Sequence, residues 1–310
     1  MQYFADSLSQ YSLYEFLWFF IIYSVGGWCL EVIYHVVTMG RFVNRGFLYG
    51  PACPVYGFGM LTVIVCLMPL RDNKLVMFAG SLLLATLIEL VTGFVMEKLF
   101  HQRWWDYSNE PFNLHGYICL KFSLEWGIAC LLVTDVFHTV LAGIIAHFPM
   151  LPGIILLALC LVGFAVDCVI TVFTIIGLNK RLKKMNELAE KITAVSEKLG
   201  DGLTEATLQG MERQQQVKEQ LSEKKLQLEE RSGEIKQELH EYRQIRESEA
   251  LEKRRQIEAE LAELRSRLEK LRAARKIGHQ RLLRAFPDMK SGMFSKELHD
   301  LQEAVRKLKH

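Results

Sequence analysis

Five apolar stretches within the first 178 of 310 residues leave this chain few ways to fold. They run from Leu13 to Val37, Pro51 to Pro69, Leu75 to Met96, Ile118 to Val140 and Pro152 to Leu178. A hydrocarbon core of ~30 Å is crossed by ~20 helical residues, the length of these stretches. No water inside that core can satisfy a peptide group, so spanning segments of this kind must be helices. The first stretch has no Lys or Arg before it and continues as a spanning segment, so it is not expected to be a cleaved signal. The expected fold class is all-α: a polytopic membrane bundle of about five transmembrane helices followed by a long cytoplasmic coiled-coil tail.

The charge balance divides the chain at the same place. Through Gly177 there are 7 Lys+Arg and 11 Asp+Glu, and from Leu178 onward there are 30 and 24. The overall net charge of +2 therefore describes neither half. The basic run Asn179-Lys180-Arg181-Leu182-Lys183-Lys184 abuts the fifth stretch, which predicts a cytoplasmic C-terminus. Five spans then put the N-terminus outside and the 38–50 and 97–117 loops inside. The 70–74 turn, with Arg71 and Lys74, is the count against this scheme.

Past the bilayer, Leu178, Leu182, Met185, Ile192, Val195 and Leu199 continue an apolar stripe, and Gly200-Asp201-Gly202 predicts its end. A charged helix is expected from about Leu203 to Arg284. Ile257, Leu261, Leu264, Leu268 and Leu271 step 4-3-4-3, a coiled-coil seam. Leu221, Leu228, Ile235 and Tyr242 keep a weaker seven-residue spacing. After Pro287, the residues Phe294, Leu298, Leu301, Val305 and Leu308 form a last amphipathic stripe, suited to folding back on the seam or binding a partner. The expected divisions are 1–178, 179–202, 203–286 and 287–310. Lys/Arg and Glu alternate along the tail without interleaved aromatics, the pattern of a solvated helix face and not of a nucleic-acid surface.

Chemistry is expected where polar groups meet the membrane, because each one there is costly. The segment Arg45 to Gly59 lies between two apolar runs. Its Gly50, Pro51, Pro54 and Gly57 specify a turn into a helix, with both prolines suited to the first helical turn. Glu31, Arg45, Tyr49, Glu97, Arg103, Asp106, Asn113, Lys121 and Glu125 are placed by topology near one cytoplasmic depth, with Glu89 inside the third span. Together they form the candidate substrate-binding cluster. Each has a plainer reading. Lys121 and Glu125 stand i,i+4 and can neutralise each other. Gly93 between Glu89 and Glu97 lets a helix approach closely. Trp104 and Trp105 fit an interfacial aromatic belt. Asp135 sits near an outer helix end, where water reaches it, and Asp167 lies deeper.

No metal site is expected, since His101 and His115 lack the spacing of a helical metal pair. The seven cysteines are all in the apolar half without a C-x-x-C pair, as expected of small buried hydrophobes. No cofactor is implied. The sequence has no phosphate-binding G-x-x-x-x-G-K-[ST] loop, no G-x-S-x-G elbow and no H-E-x-x-H, so no standard enzymatic nucleophile or ATPase is indicated.

Several motifs carry a resemblance. They are Glu31, the run Arg45-Gly46-Phe47-Leu48-Tyr49-Gly50-Pro51 with Cys53-Pro54 and Tyr56-Gly57, and Glu97-Lys98-Leu99-Phe100-His101. With them stand Arg103-Trp104-Trp105-Asp106-Tyr107-Ser108, Pro111-Phe112-Asn113 and Cys119-Leu120-Lys121-Phe122-Ser123. Over roughly residues 13 to 140 the chain resembles the putative ABC-transporter type IV (CmpB-like) family of bacterial membrane proteins. The stretch Ala285 to Ser291 also resembles the tail of longer members. The resemblance implies a permease subunit in the cell membrane, paired with a separate ATPase through the 38–50 or 97–117 loop. Two other functions stay open on the residues. One is an enzyme or binding protein for a lipid-like substrate at the cytoplasmic face, with Arg45 or Arg103 on a headgroup phosphate and Glu31 or Asp106 as base. The other is a scaffold or sensor that self-associates through the coiled coil.

Overall fold

The computed structural model describes residues 10–40, 42–223, 232–274 and 276–307. Its contacts group into two compact units. One contains residues up to Leu182 together with the segment after residue 274, and the other spans Lys183–Ala274.

In the first unit, α1 (Leu13–Met39) opens with a capping box. The Glu15 N–H donates to Ser12 Oγ, and the Ser12 N–H donates back to the Glu15 carboxylate at 2.7 Å. It ends at Gly40, whose φ of 66° is left-handed. A non-helical segment leads to α2 (Pro54–Leu67) and a 3-10 turn (Met68–Leu70). The third helix, α3 (Lys74–Phe100), leads through β1 (Gln102–Arg103) and the small hairpin β2 (Asn113–Leu114) and β3 (Ile118–Cys119) to α4 (Leu120–Leu132). A π-helical turn at Val133–Phe137 joins α4 to α5 (His138–His147). Then comes α6, from Met150 to Glu223.

Among the described residues, four stretches are long and apolar enough to cross a membrane: Leu13–Thr38, Lys74–Phe100, Leu120–His147 and Met150–Gly200. The second expected span falls short, as the helical stretch Pro54–Leu70. Of the two prolines expected in its first turn, only Pro54 stands there, directly after the N-cap Cys53. Pro51 instead sits in a tight turn closed by the Ala52 N–H to Gly50 carbonyl bond at 2.9 Å.

The helices pack around two close approaches. A Cβ on Gly27 would lie 2.1 Å from the Tyr56 ring, and one on Gly57 would lie 2.3 Å from Ser24 Oγ, so α1 and α2 meet through glycine on both sides. Phe19, Tyr23, Ile64, Met68 and Ile145 form one buried cluster, and Phe20 and Ile21 pack with Leu157 in another. At the end bearing the 70–74 turn, His138 is enclosed between Tyr23 and Tyr11, with ring nitrogens 2.9 and 3.1 Å from their hydroxyls. Lys74 there pairs with Asp135 at 2.5 Å, and Asp135 keeps 37% of its side chain exposed.

The glycines at 200 and 202 do not end α6, which continues as helix to Glu223. Two glycines in a helix interior cost only about 2 kcal/mol, too little to stop a 74-residue helix by themselves. In the second unit, α7 (Ser232–Ala273) buries Leu261, Leu264 and Leu268 of the expected stripe. Leu228 and Leu308 fall outside the described residues, as do the side chains of Leu221, Ile235 and Tyr242.

The charged helix ends at Ala273, not near Arg284. The chain restarts as α8 (Ile277–Ala285), β4 (Lys290–Ser291) and α9 (Ser295–Lys307). These last elements belong to the unit of the membrane helices. Leu282, Leu283 and Met289 are buried with Leu298, Leu301 and Val305. β4 pairs antiparallel with β1, Gln102 opposite Ser291 and Arg103 opposite Lys290. The last stripe is thus used within the membrane unit, where the sequence left the coiled-coil seam or a partner as its target.

Candidate functional site

The segment between α1 and α2 does not stay at the end of the bundle. The Cys53 N–H donates to the carbonyl of Ser24 at 2.8 Å. Ser24 lies near the middle of α1, about 22 Å along the axis from that helix's last residue. Trp28 of α1 donates to Asn44 Oδ1 at 2.7 Å, higher on the same helix. Residues 44–53 therefore re-enter the bundle beside α1 and stop halfway, which is why α2 is short.

Non-helical backbone is tolerated at such depth only when every peptide group finds a partner inside the protein. The Asp167 carboxylate of α6 accepts from the Tyr49 N–H at 2.9 Å and the Gly50 N–H at 2.6 Å. The Asn44 side chain accepts from the Gly46 N–H at 3.2 Å and donates to the Tyr49 carbonyl at 2.7 Å. The remaining carbonyls of Gly46, Phe47 and Leu48 are all met by one group, the Arg281 guanidinium of α8, at 3.1, 2.9 and 2.8 Å. Arg281 also lies over the Tyr49 ring, 4.3 Å from its centroid. The Tyr49 hydroxyl is 3.0 Å from Thr174 Oγ1 of α6. Gly50 has to be small, since a Cβ would stand 2.9 Å from Asp167 Oδ2.

Two carboxyl–tyrosine pairs adjoin this segment. Tyr56 donates to Glu31 at 2.6 Å, and Arg45 lies 3.8 Å from the other Glu31 oxygen. Tyr107, from the loop after α3, donates to Glu89 at 3.1 Å. Burial pushes the Tyr107 hydroxyl far up and Glu89 pushes it further, so it remains a proton donor.

The 101–119 loop forms a third group. Arg103 holds Glu97 at 2.8 Å, donates to the His115 carbonyl at 3.1 Å and covers the Tyr117 ring. Asp106 accepts from the Ser108 N–H at 3.0 Å and from Lys290 of β4. Burial raises its carboxyl, but the bonds from Lys290 and Ser108 outweigh burial and hold it at about 2. Asn113 is a turn former, donating to the Glu110 carbonyl at 2.7 Å and accepting from the Gly116 N–H at 3.2 Å.

Lys121 and Glu125 do not join these groups. Both are exposed on α4, and Lys121 rests near the Phe122 ring. The expected helix approach at Gly93 is made instead by Tyr117 and Trp105 of the loop. Trp104 is no interfacial belt residue: it is buried between Phe47, 5.3 Å away, and Phe286 of the C-terminal segment, 4.8 Å away. Three contributors were absent from the sequence-derived cluster: Asp167, Tyr56 and Arg281. The first had a signal, since a carboxylate deep in an apolar run needs donors.

The sequence signature of the putative ABC-transporter type IV family matches residues 18–172, half of the chain. This chain belongs to that family. The matched residues include α1 from Trp18 onward, α2 to α5, the re-entrant segment and Asp167, while Arg281 lies beyond them. No curated protein and no solved structure matches the chain. Family membership and the apolar helices make this a membrane protein related to ABC transporters. Among the described residues, no group of three or more His, Cys, Asp or Glu side chains is arranged to hold a metal ion.

Proposed function

We propose that this protein is the membrane-embedded permease subunit of a transport system that draws on a separate ATPase. The observation that carries this reading is the re-entrant segment, polar backbone held halfway along α1 beside the Glu31–Tyr56 and Glu89–Tyr107 pairs. Broken backbone at membrane depth is how transport proteins present polar groups to a solute without exposing them to lipid. The sequence has no nucleotide-binding loop of its own.

The basic run at Lys180 to Lys184 supports a cytoplasmic C-terminus, which puts the two polar loops and α8 to α9 on the cytoplasmic side. Of the two loops offered for ATPase contact, 38–50 is engaged by Arg281. The 97–117 loop is engaged too, through β4, but its tip stays free to meet a partner, with Phe112 82% exposed. The lipid-headgroup alternative has less support, because Arg45 and Arg103 each already face a carboxylate. The Leu261, Leu264 and Leu268 stripe supports a coiled coil within the 183–274 unit; self-association through it has less support, because those side chains are already buried in the single chain.

The test is affinity purification of the whole chain in mild detergent, with mass spectrometry of proteins and lipids. An ATPase in defined stoichiometry is expected. No ATPase and no solute flux in proteoliposomes would refute the reading.

A further inference from the structure

Three consecutive carbonyls converge on one point in the re-entrant segment, and the parts that shape them are separate from the part that fills them. The Tyr49 and Gly50 N–H groups are fixed by Asp167. The Gly46 N–H and Tyr49 carbonyl are fixed by Asn44, which Trp28 orients in turn. All of these groups lie on α1, α6 or the segment itself, and none on α8. Both ends of the stretch that bears the Gly46, Phe47 and Leu48 carbonyls are thus held by groups outside α8. Empty, they would be buried acceptors without donors, which is costly.

The site's chemistry selects its occupant. Three carbonyl acceptors within reach of one planar group match the fork of guanidinium donors, and an aromatic face at 4.3 Å adds cation–π attraction. Asp167 supplies a balancing negative charge behind the peptide. Access by α8 depends on Gly278, where a Cβ would lie 2.1 Å from the Tyr49 hydroxyl. The filling group is carried by a separate segment: Arg281 lies outside the family-matched residues, which contain the carbonyls, Tyr49 and Asp167.

We propose that the Gly46–Leu48 carbonyls, the Tyr49 ring and Asp167 form a cation site selective for guanidinium groups, filled in this chain by its own Arg281, so that small guanidinium compounds compete with the C-terminal segment. This holds whether or not the protein is a permease.

The full chain carrying Arg281→Ala, in detergent, tests it with methylguanidinium, methylammonium and sodium chlorides at equal, sub-denaturing concentrations. The thermal midpoint should fall relative to the parent protein and be restored saturably by methylguanidinium. Methylammonium should bind at least about tenfold more weakly, the value of one lost charge-assisted hydrogen bond. Sodium should do nothing. An unchanged midpoint, a fall without rescue, or equal rescue by all three salts would overturn the proposal. If Arg281→Ala does not fold, Arg281→Lys decides. It keeps the charge but cannot span three carbonyls, so amide exchange in residues 44–53 should be faster than in the parent. Parent-like exchange would overturn the proposal.

Discussion

Asp167 and Arg281 hold opposite edges of the same short peptide. The carboxylate takes the N–H groups of Tyr49 and Gly50, and the guanidinium takes the carbonyls of the three residues before Tyr49. The two charges compensate each other across the peptide, which lets both be buried. Asp167→Asn should remove one accepted bond and leave Arg281 without its counter-charge. A destabilisation of about 1.5–3 kcal/mol is expected, the range for hydrogen bonds to charged groups. Thermal unfolding in detergent, beside Asp135→Asn as a partly exposed control, checks this.

The glycine contacts between α1 and α2 give a paired prediction. Gly27→Ala and Gly57→Ala drive a methyl into Tyr56 and into Ser24 and Phe20, and each should cost about 1–3 kcal/mol as an overpacked interface. Gly26→Ala and Gly59→Ala meet nothing within 4 Å and should be neutral or slightly stabilising in a helix. Melting temperatures of the four variants separate the two classes.

His279 makes docking of α8 sensitive to acid. Burial, then the charges of Arg181 and Lys276, push its ring down to about 4, and Arg181 Nη1 stands 3.5 Å from Nδ1. Unfolded, the ring takes its proton near the ordinary value of 6.5. Between those values the unfolded state binds more protons, so stability is full above about 6.5 and falls as pH drops towards 4. Proton-exchange protection of residues 276–307 should decline over that window, and His279→Gln should flatten the decline.

Lys121 and Glu125 provide a negative prediction. Both are exposed on α4, so alanine at either should change stability by no more than about 0.5 kcal/mol. Tyr56→Phe, which strips Glu31 of its 2.6 Å donor, should cost clearly more in the same assay.

The apolar runs disclosed the helices because hydropathy and backbone satisfaction are local properties. Four of the five expected stretches have spanning length, and the motif region fell where the family match lies. The re-entrant segment was visible as Gly50, Pro51 and Pro54, but its depth was not. Depth is set by Cys53 meeting Ser24 and by Asp167 lying 117 positions along the chain from Gly50. Arg281 had no local mark among 30 basic residues from Leu178 onward, and its partners are backbone carbonyls, which no side-chain pattern reveals. The Gly200 and Gly202 stop failed because glycine weakens a helix without ending it unless the backbone turns left-handed, as it does at Gly40.

Hydrogen exchange of the full chain in a lipid nanodisc, read on residues 44–53, tests the central claim most directly. If this segment is gripped at mid-bundle, the amides of Gly46, Tyr49, Gly50 and Cys53 exchange as slowly as those of α1, and Asp167→Asn releases Tyr49 and Gly50. Exchange of the parent segment as fast as an exposed turn, unchanged by that substitution, would contradict the account.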